Sequence, residues 1–222
     1  MLSSVLPQFI TMPKKTTSNK LSKNIRVSGL ILAGGRARRM NGKDKGLVLL
    51  AGTSLIEHCV RTLSPQVNQL FISANRNVSH YQRFNVPILQ DFTDNHEGPL
   101  AGLQCALTAS KEMPVLVVPC DAPLFPDQLA KRLLEVYEKD TYYAIVPHDG
   151  TRLQPLFSLF PPSSLESLNE YLTTGQRKVE TWVTSLPYKV VDFSNQSEQF
   201  LNINTIDDLR HAESLLEVIK KC

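Results

Sequence analysis

The stretch 115–118 reads Val-Leu-Val-Val and is apolar at every position. A strand with one wet face alternates apolar and polar residues, whereas a strand apolar throughout needs cover on both faces. It is therefore expected to run through the middle of a sheet with helices on either side. Further short apolar runs recur at 27–32, 70–74, 87–89, 143–146, 156–160 and 188–192. Between them the apolar residues take helical spacing. Leu55, Ile56, Cys59, Val60 and Leu63 form one such set, with Ser54 and Glu57 as its capping box and Pro65 as its stop. Pro99 opens a helix to Ser110, and Pro126 opens another carrying Leu129, Leu133, Leu134 and Tyr137. The stretches 161–172 and 179–186 read as two more. Thr205 with Asp208 caps a last helix carrying Ile206, Leu209, Leu215, Leu216 and Ile219.

Strands alternating with helices predict a single Rossmann-like three-layer α/β/α domain with a mostly parallel central sheet, spanning 25–222. A chain of 222 residues, 42% of them apolar, is long enough to bury such a core. Residues 1–24 hold Ser, Thr, Lys and two prolines and no acid, and are expected to be a disordered N-terminal extension. A transit peptide would carry arginine, which is missing before Arg26. A secretory signal would place positive charge ahead of its apolar run, and 1–10 has none. No window approaches the ~20 apolar residues of a membrane span, so no membrane association is expected.

The formal net charge of +3 is unevenly placed. Nine basic residues precede Asp44, the first acid, while the remainder carries 15 basic and 21 acidic residues. A body with that balance is not a general nucleic-acid binder. Cys59, Cys105, Cys120 and Cys222 lie far apart and form no C-x-x-C. This speaks against a zinc site or a disulfide framework and for a reducing cytoplasm.

At 30–47 the chain reads LILAGGRARRMNGKDKGL. An apolar run stops at Ala33-Gly34-Gly35, and Arg36, Arg38, Arg39, Lys43 and Lys45 follow against one acid, Asp44. Glycine permits the tight turn and leaves backbone N–H groups open to a ligand. Five neighbouring cations repel one another and make sense around a polyanion such as a triphosphate. Gly-Gly alone is an ordinary turn, and the loop matches neither the P-loop nor the dinucleotide fingerprint. On composition alone a solvated charged loop fits as well.

Position along the fold adds to this. In open α/β sheets, ligands bind beyond the carboxyl ends of the strands. That rule gathers Gly34, Asn75, Asp91 and Asp121, each just past a strand, at one edge. Asp121 lies between Pro119 and Pro123, where a carboxylate is held rigidly. Mg²⁺ takes one or two such carboxylates and completes its shell with water and substrate phosphates. The alternative is a turn cap before Pro123. Lys45 can neutralise triphosphate oxygens as charge moves to a leaving pyrophosphate, and the planar fork of Arg39 suits phosphate as well. His148-Asp149-Gly150 reads as a turn between strands rather than an acid–base pair.

The residue order closely resembles the first motif of the molybdenum cofactor guanylyltransferases, a branch of the nucleotidyltransferases that activate sugars, isoprenoid precursors and pterins. Leu32-Ala33-Gly34-Gly35, Arg38-Arg39-Met40 and Asp44-Lys45-Gly46-Leu47 carry the likeness. Asn41 stands where the branch usually has glycine; asparagine also tolerates a left-handed backbone. Cys120-Asp121-Ala122-Pro123 matches the context in which the family holds Mg²⁺. Gly98-Pro99-Leu100-Ala101-Gly102 matches a branch motif near the base. Asn202 and Asn204 match a late motif, where substrate contact and turn chemistry both stay open. The likeness covers all but the N-terminal extension.

The resemblance implies an enzyme that transfers GMP from GTP to the terminal phosphate of the molybdenum-pterin cofactor and releases pyrophosphate. It implies Asp121, Lys45 and Arg39 as catalytic residues, with Mg²⁺ on Asp121. Leu32, Ala33, Gly34, Gly35, Lys45, Asn75, Asp91 and Asp121 become the nucleotide contacts. Molybdenum insertion proteins and molybdoenzyme chaperones are the implied partners, and a cytoplasmic monomer is expected. Two other readings stand beside it: a cytidylyltransferase using CTP on the same pterin, and a nucleotide-binding partner of molybdoenzymes without catalysis. Asp121 and Lys45 together argue against the second, since a pure binder has no need of a metal carboxylate.

Overall fold

Successive side chains of a strand point to opposite faces, and in the central strands of this chain both rows are apolar. A computed structural model describes residues 25–33, 44–92 and 98–220. In chain order its elements are β1 (Ser28–Leu32), β2 (Leu49–Leu50), β3 (Thr53–Ser54), α1 (Leu55–Leu63), β4 (Gln69–Ser73), α2 (Val78–Gln82), β5 (Ile88–Leu89) and α3 (Pro99–Ser110). Then come β6 (Val115–Pro119), α4 (Leu129–Tyr137), β7 (Ala144–His148), β8 (Leu159–Phe160), α5 (Ser164–Thr173), α6 (Val179–Ser185), β9 (Tyr188–Asp192) and α7 (Ile206–Ile219). The main sheet runs β5-β4-β1-β6-β8-β7-β9, while β2 and β3 pair apart as a short hairpin. Only β8 runs antiparallel to its neighbours within the main sheet.

The wholly apolar strand β6 sits in the middle of that order, and its residues divide between two cores. Leu116 and Val118 join Ile31, Ile72 and Ile145 on one face, under α1 and α4. Val115 and Val117 join Leu30, Phe71 and Val146 on the other, under α3, α5 and α6. Fully burying one such side chain stabilises the fold by roughly 1.5–3 kcal/mol, which is why both rows are kept apolar. A third cluster lies under α7, where Leu215 and Leu216 meet Leu50, Leu55, Leu124 and Ile203. The three-layer, mostly parallel architecture expected from the alternating pattern is what the chain adopts. No helix among the described residues is long and apolar enough to cross a membrane. Residues 1–24 lie outside the described part.

Local details differ from the sequence reading. Ser54 is the N-cap residue of α1 but makes no capping hydrogen bond. Its hydroxyl instead accepts from Arg83 Nη2 at 3.2 Å, and Glu57 pairs with Arg61 at 2.5 Å. Arg61, one helical turn after Glu57, and Arg83, 29 positions from Ser54, draw off both halves of the expected capping box. The helix expected from Pro126 begins at Leu129, after a turn closed by Leu129 N donating to Pro126 O at 3.0 Å. The apolar run 156–160 splits into a 3₁₀ turn at Pro155–Phe157 and the two-residue strand β8. Ile206 is 65% exposed, because it opens α7 on the side away from Ala212, Leu215 and Leu216. The hairpin β2–β3 and the short helix α2 were not anticipated.

Elsewhere expectation and structure agree. Thr205 and Asp208 form the full capping box of α7, each side chain bonded to the other's backbone N–H. Asp149 Oδ1 accepts from Thr151 N and Arg152 N, and Gly150 has φ +95°, so His148-Asp149-Gly150 is a turn.

Candidate active site

The carboxyl ends of β5, β4, β1 and β6 lie side by side, and short backbone links carry the chain past them. Ala33 N donates to Ser73 O at 2.9 Å, Cys120 N to Leu32 O at 3.0 Å, and Ala74 N to Leu89 O at 3.0 Å. Leu32 pairs in register with Ser73 on one side and Pro119 on the other. Leu32 and Ala33 thus sit between the strand that leads to Asn75 and the strand that leads to Asp121. Beyond β4, Asn75 Oδ1 accepts from the backbone N–H of Asp91 at 2.9 Å, which ties the end of β4 to the end of β5. Gly34, Gly35 and Arg39, expected at this edge, lie outside the described residues.

Asp121 and Lys45 are 76 residues apart and meet directly. Lys45 Nζ donates to Asp121 Oδ2 at 2.9 Å and to Asn204 Oδ1 at 2.5 Å. Their side chains are 25% and 23% exposed, so the pair is shielded yet reachable from solvent. Two backbone facts bring Asn204 in. Ile203 N donates to Asp121 O at 2.7 Å, and Asp208 Oδ2 accepts from Asn204 N at 2.9 Å. The first pins the incoming strand of chain to β6, and the second makes Asn204 part of the cap of α7. The Asn204 amide is thereby left to meet the ammonium. Of the two roles left open by the sequence, turn chemistry is present at Asn204, and its side chain also meets Lys45.

Lys45 is itself held by its neighbours in sequence. Asp44 Oδ1 accepts from Gly46 N at 3.1 Å and from Tyr81 Oη at 2.6 Å, and Asp44 Oδ2 accepts from Asn77 Nδ2 at 2.9 Å. Asp44 also caps the 3₁₀ turn Lys45–Leu47. Burial, and then the hydrogen bond to Asp44, push the Tyr81 phenol above its ordinary range, so it stays a donor. Burial, and then the charge of Asp121, likewise push the thiols of Cys59 and Cys120 upward, which leaves both unreactive beside the site.

The helix behind this edge approaches very closely. A Cβ on Gly102 of α3 would lie 2.5 Å from Ser73 Oγ and 3.0 Å from Leu32 Cδ2. Gly98, just before Pro99, has φ +82° and ψ −163°, a conformation open essentially to glycine alone. The small residues of Gly98-Pro99-Leu100-Ala101-Gly102 therefore have a packing reason: they let α3 start sharply and lie against the ends of β1 and β4.

The donor set can be weighed against Mg²⁺. Among the described residues no three His, Cys, Asp or Glu side chains gather around one point. A dedicated protein cage is thus missing there, but Mg²⁺ typically takes one or two carboxylates plus water and substrate phosphates. Asp121 and Asn204 already turn two hard oxygens onto a single cation, the Lys45 ammonium. An edge of that kind fits a metal carried in with phosphates.

Lys45 and Asp121, named from the sequence as candidates, are brought into direct contact, and Leu32 pairs with Pro119 on the strand that leads to Asp121; Asn204 was noticed without a role. Asp44, Asn77 and Tyr81 were missed as a set. Nothing in the spacing of Tyr81 or Asn77 points to a residue more than 30 positions earlier.

Comparison with known proteins agrees with this geometry. A sequence profile described as the MobA-like NTP transferase domain matches residues 29–190. A molybdenum cofactor guanylyltransferase of Shewanella sediminis is 38% identical over 198 residues, covering 89% of this chain and 100% of that protein. One from Cupriavidus pinatubonensis is 42% identical over 193 residues, covering 85% of this chain and 96% of the other. Among solved structures, molybdopterin-guanine dinucleotide biosynthesis protein A of Archaeoglobus fulgidus superposes with a TM-score of 0.72 at 25% identity, over 86% of this chain and 99% of that one. A 4-diphosphocytidyl-2C-methyl-D-erythritol synthase of Anaerococcus prevotii shares the fold, with a TM-score of 0.66 at 13% identity. A family profile matching residues 29–190 and relatives 38–42% identical along nearly their whole length show that the chain belongs to the MobA-like NTP transferase family.

Proposed function

We propose that this enzyme transfers GMP from GTP to the terminal phosphate of the molybdenum-pterin cofactor and releases pyrophosphate. The observation that carries the reading is the Lys45 ammonium shared between Asp121 and Asn204 beyond the carboxyl ends of β1 and β6. The names of the relatives support the choice of nucleotide and acceptor.

In the reaction, an oxygen of the pterin's terminal phosphate attacks the α-phosphorus of GTP in line. A new P–O bond forms as the bond from the α-phosphorus to the bridging oxygen breaks, and that electron pair leaves with pyrophosphate. Little covalent work falls to the protein, so positioning and charge must supply the rate. Lys45 leaves Asp121 for the triphosphate oxygens and neutralises the charge that grows on the leaving group. Arg39 shares that task with its planar fork. Asp121, freed once Lys45 turns to the triphosphate, would be the residue to hold Mg²⁺. Bound there, the metal supplies Lewis-acid polarisation and charge neutralisation at the phosphates. Leu32 and Ala33 would carry the chain to the base, with Asn75 and Asp91 as further contacts. Ala33 N and Leu32 O are already bonded to Ser73 O and Cys120 N, so reading of the base edge falls to backbone groups further on, at Gly34 and Gly35. A backbone reader has fixed donors and acceptors, and leaving one buried group unpaired costs about 1–3 kcal/mol, roughly tenfold to a hundredfold in selectivity.

The test is incubation with each of the four nucleoside triphosphates, Mg²⁺ and molybdenum-loaded pterin, following pyrophosphate release. GTP is expected to give the highest kcat/KM. A value for CTP equal to or above that for GTP overturns the guanine assignment.

A further inference from the structure

Asp44 stands next to Lys45 in sequence, yet its carboxylate is not the partner that the Lys45 ammonium takes among the hydrogen bonds described above. Three donors occupy it: the phenol of Tyr81, the amide of Asn77 and the backbone N–H of Gly46. They come from two separate stretches, the 3₁₀ turn itself and the start of α2. Lysine carries a long flexible stem, so the place of its Nζ depends on how firmly its backbone is held. Here the residue on each side of Lys45 is fixed. Asp44 is tied to Tyr81, whose ring is fully buried. Gly46 is buried against the same ring, and a Cβ there would lie only 2.7 Å from Tyr81 Oη.

We propose that Tyr81, acting through Asp44, is a positioning residue for Lys45, and that glycine is required at Gly46 so that the phenol can reach Asp44. This rests on the reading of Lys45 as the cation that serves the triphosphate. The arrangement also removes a competitor. A carboxylate beside Lys45 could capture the ammonium; occupied by three donors from Gly46, Asn77 and Tyr81, Asp44 has little acceptor capacity left to draw it away from Asp121. Asn77, whose side-chain amide makes the third bond, has a left-handed backbone at φ +50°, a conformation asparagine accepts more readily than most residues. The Asp-Lys-Gly order thus has one physical explanation: an anchor, the working cation, and room for the anchor's partner.

Two double-variant cycles, read by pyrophosphate release with GTP, Mg²⁺ and molybdenum-loaded pterin, test the proposal; thermal midpoints confirm that each variant is folded. Displacing a charge by about an ångström is enough to reduce turnover on the order of a hundredfold. Gly46→Ala is therefore expected to lower kcat by about ten- to a hundredfold with a smaller change in KM for GTP. In the Tyr81→Phe background, where the obstructing oxygen is gone, the same substitution should add little. An equal loss in both backgrounds overturns the packing argument. In the second cycle, Asp44→Ala is expected to lower kcat in the parent enzyme and to add nothing in the Lys45→Ala background. Additive losses would mean that Asp44 acts on the fold or the substrate and not through Lys45, and the proposal falls. Should Lys45→Ala keep parental turnover, the assignment of Lys45 fails first, and the positioning role fails with it. If Asp44→Ala does not fold, Tyr81→Phe combined with Lys45→Ala takes its place, with the same two outcomes.

Discussion

At the scale of single residues, a partner's burial decides what its removal does. Breaking a fully buried ion pair destabilises a protein by roughly 3–5 kcal/mol, whereas an exposed pair is worth about 0–1 kcal/mol. Lys45 and Asp121 are about a quarter exposed, and Lys45 keeps Asn204 as a second partner. Asp121→Ala is therefore expected to leave the thermal midpoint nearly unchanged while reducing GMP transfer on the order of a hundredfold or more. Parental turnover by the purified variant in Mg²⁺ would remove Asp121 from the reaction. Residues of this kind could be read in the sequence because each follows a strand or sits in a run of cations. Tyr81 could not. It looks like an aromatic of a short helix, and its link to Asp44 spans 37 positions. Asn75 was expected at the nucleotide; what the structure shows is its side chain accepting from Asp91 N.

Among elements, caps and close approaches separate what a local window reveals from what only packing does. Thr205 and Asp208 satisfy each other's backbone groups without outside help, and that capping box was plain in advance. Ser54 and Glu57 have the same spacing, but Arg83 and Arg61 claim them. Thr205→Ala is expected to lower stability by about 1 kcal/mol, measured by denaturant unfolding. The cap is also pH-dependent. The backbone N–H of Asn204, and with it Thr205, hold the Asp208 carboxyl below its ordinary range. A carboxyl depressed in the folded state contributes stability that is full above its unfolded value of about 3.9. That contribution fades as pH falls through the lower folded value. The stability gap between the parent and Asp208→Asn should accordingly be widest near neutrality and narrow in acid; a constant gap would refute this.

The α3 contact carries a second expectation at this scale. A methyl group on Gly102 would strike Ser73 and Leu32 at 2.5–3.0 Å, so Gly102→Ala must push α3 off the sheet ends. Overpacking of this kind destabilises by roughly 1–3 kcal/mol. Because Leu32 leads into the stretch proposed to hold the nucleotide, KM for GTP should rise with it. A variant with parental stability and KM would show that α3 has room to spare. From sequence, the Gly98–Gly102 stretch read as a helix start; the closeness of its packing depends on β4, a separate element.

The described residues form two hydrophobic clusters on opposite faces of the main sheet and a third under α7, and the chain before β1 is the part left to test. Nine basic residues precede the first acid, and four of them, Lys14, Lys15, Lys20 and Lys23, lie in residues 1–24. The packed body accounts for itself without them: Ile25 and Val27 pack on the main core and β1 starts at Ser28. A relative matched along its whole length uses only 198 residues of alignment. Removing residues 1–24 is therefore expected to leave the thermal midpoint and kcat/KM for GTP nearly unchanged at about 0.15 M salt, where exposed charges are screened beyond about 8 Å. Loss of the four lysines also turns the formal net charge from +3 to −1. If those charges steer the triphosphate toward Lys45, the shortened chain should show a lower kcat/KM than the full chain at low salt, and the gap should close as salt is raised. A fall in the midpoint, or a loss of activity that salt does not reverse, would mean instead that 1–24 packs on the body or reaches the site.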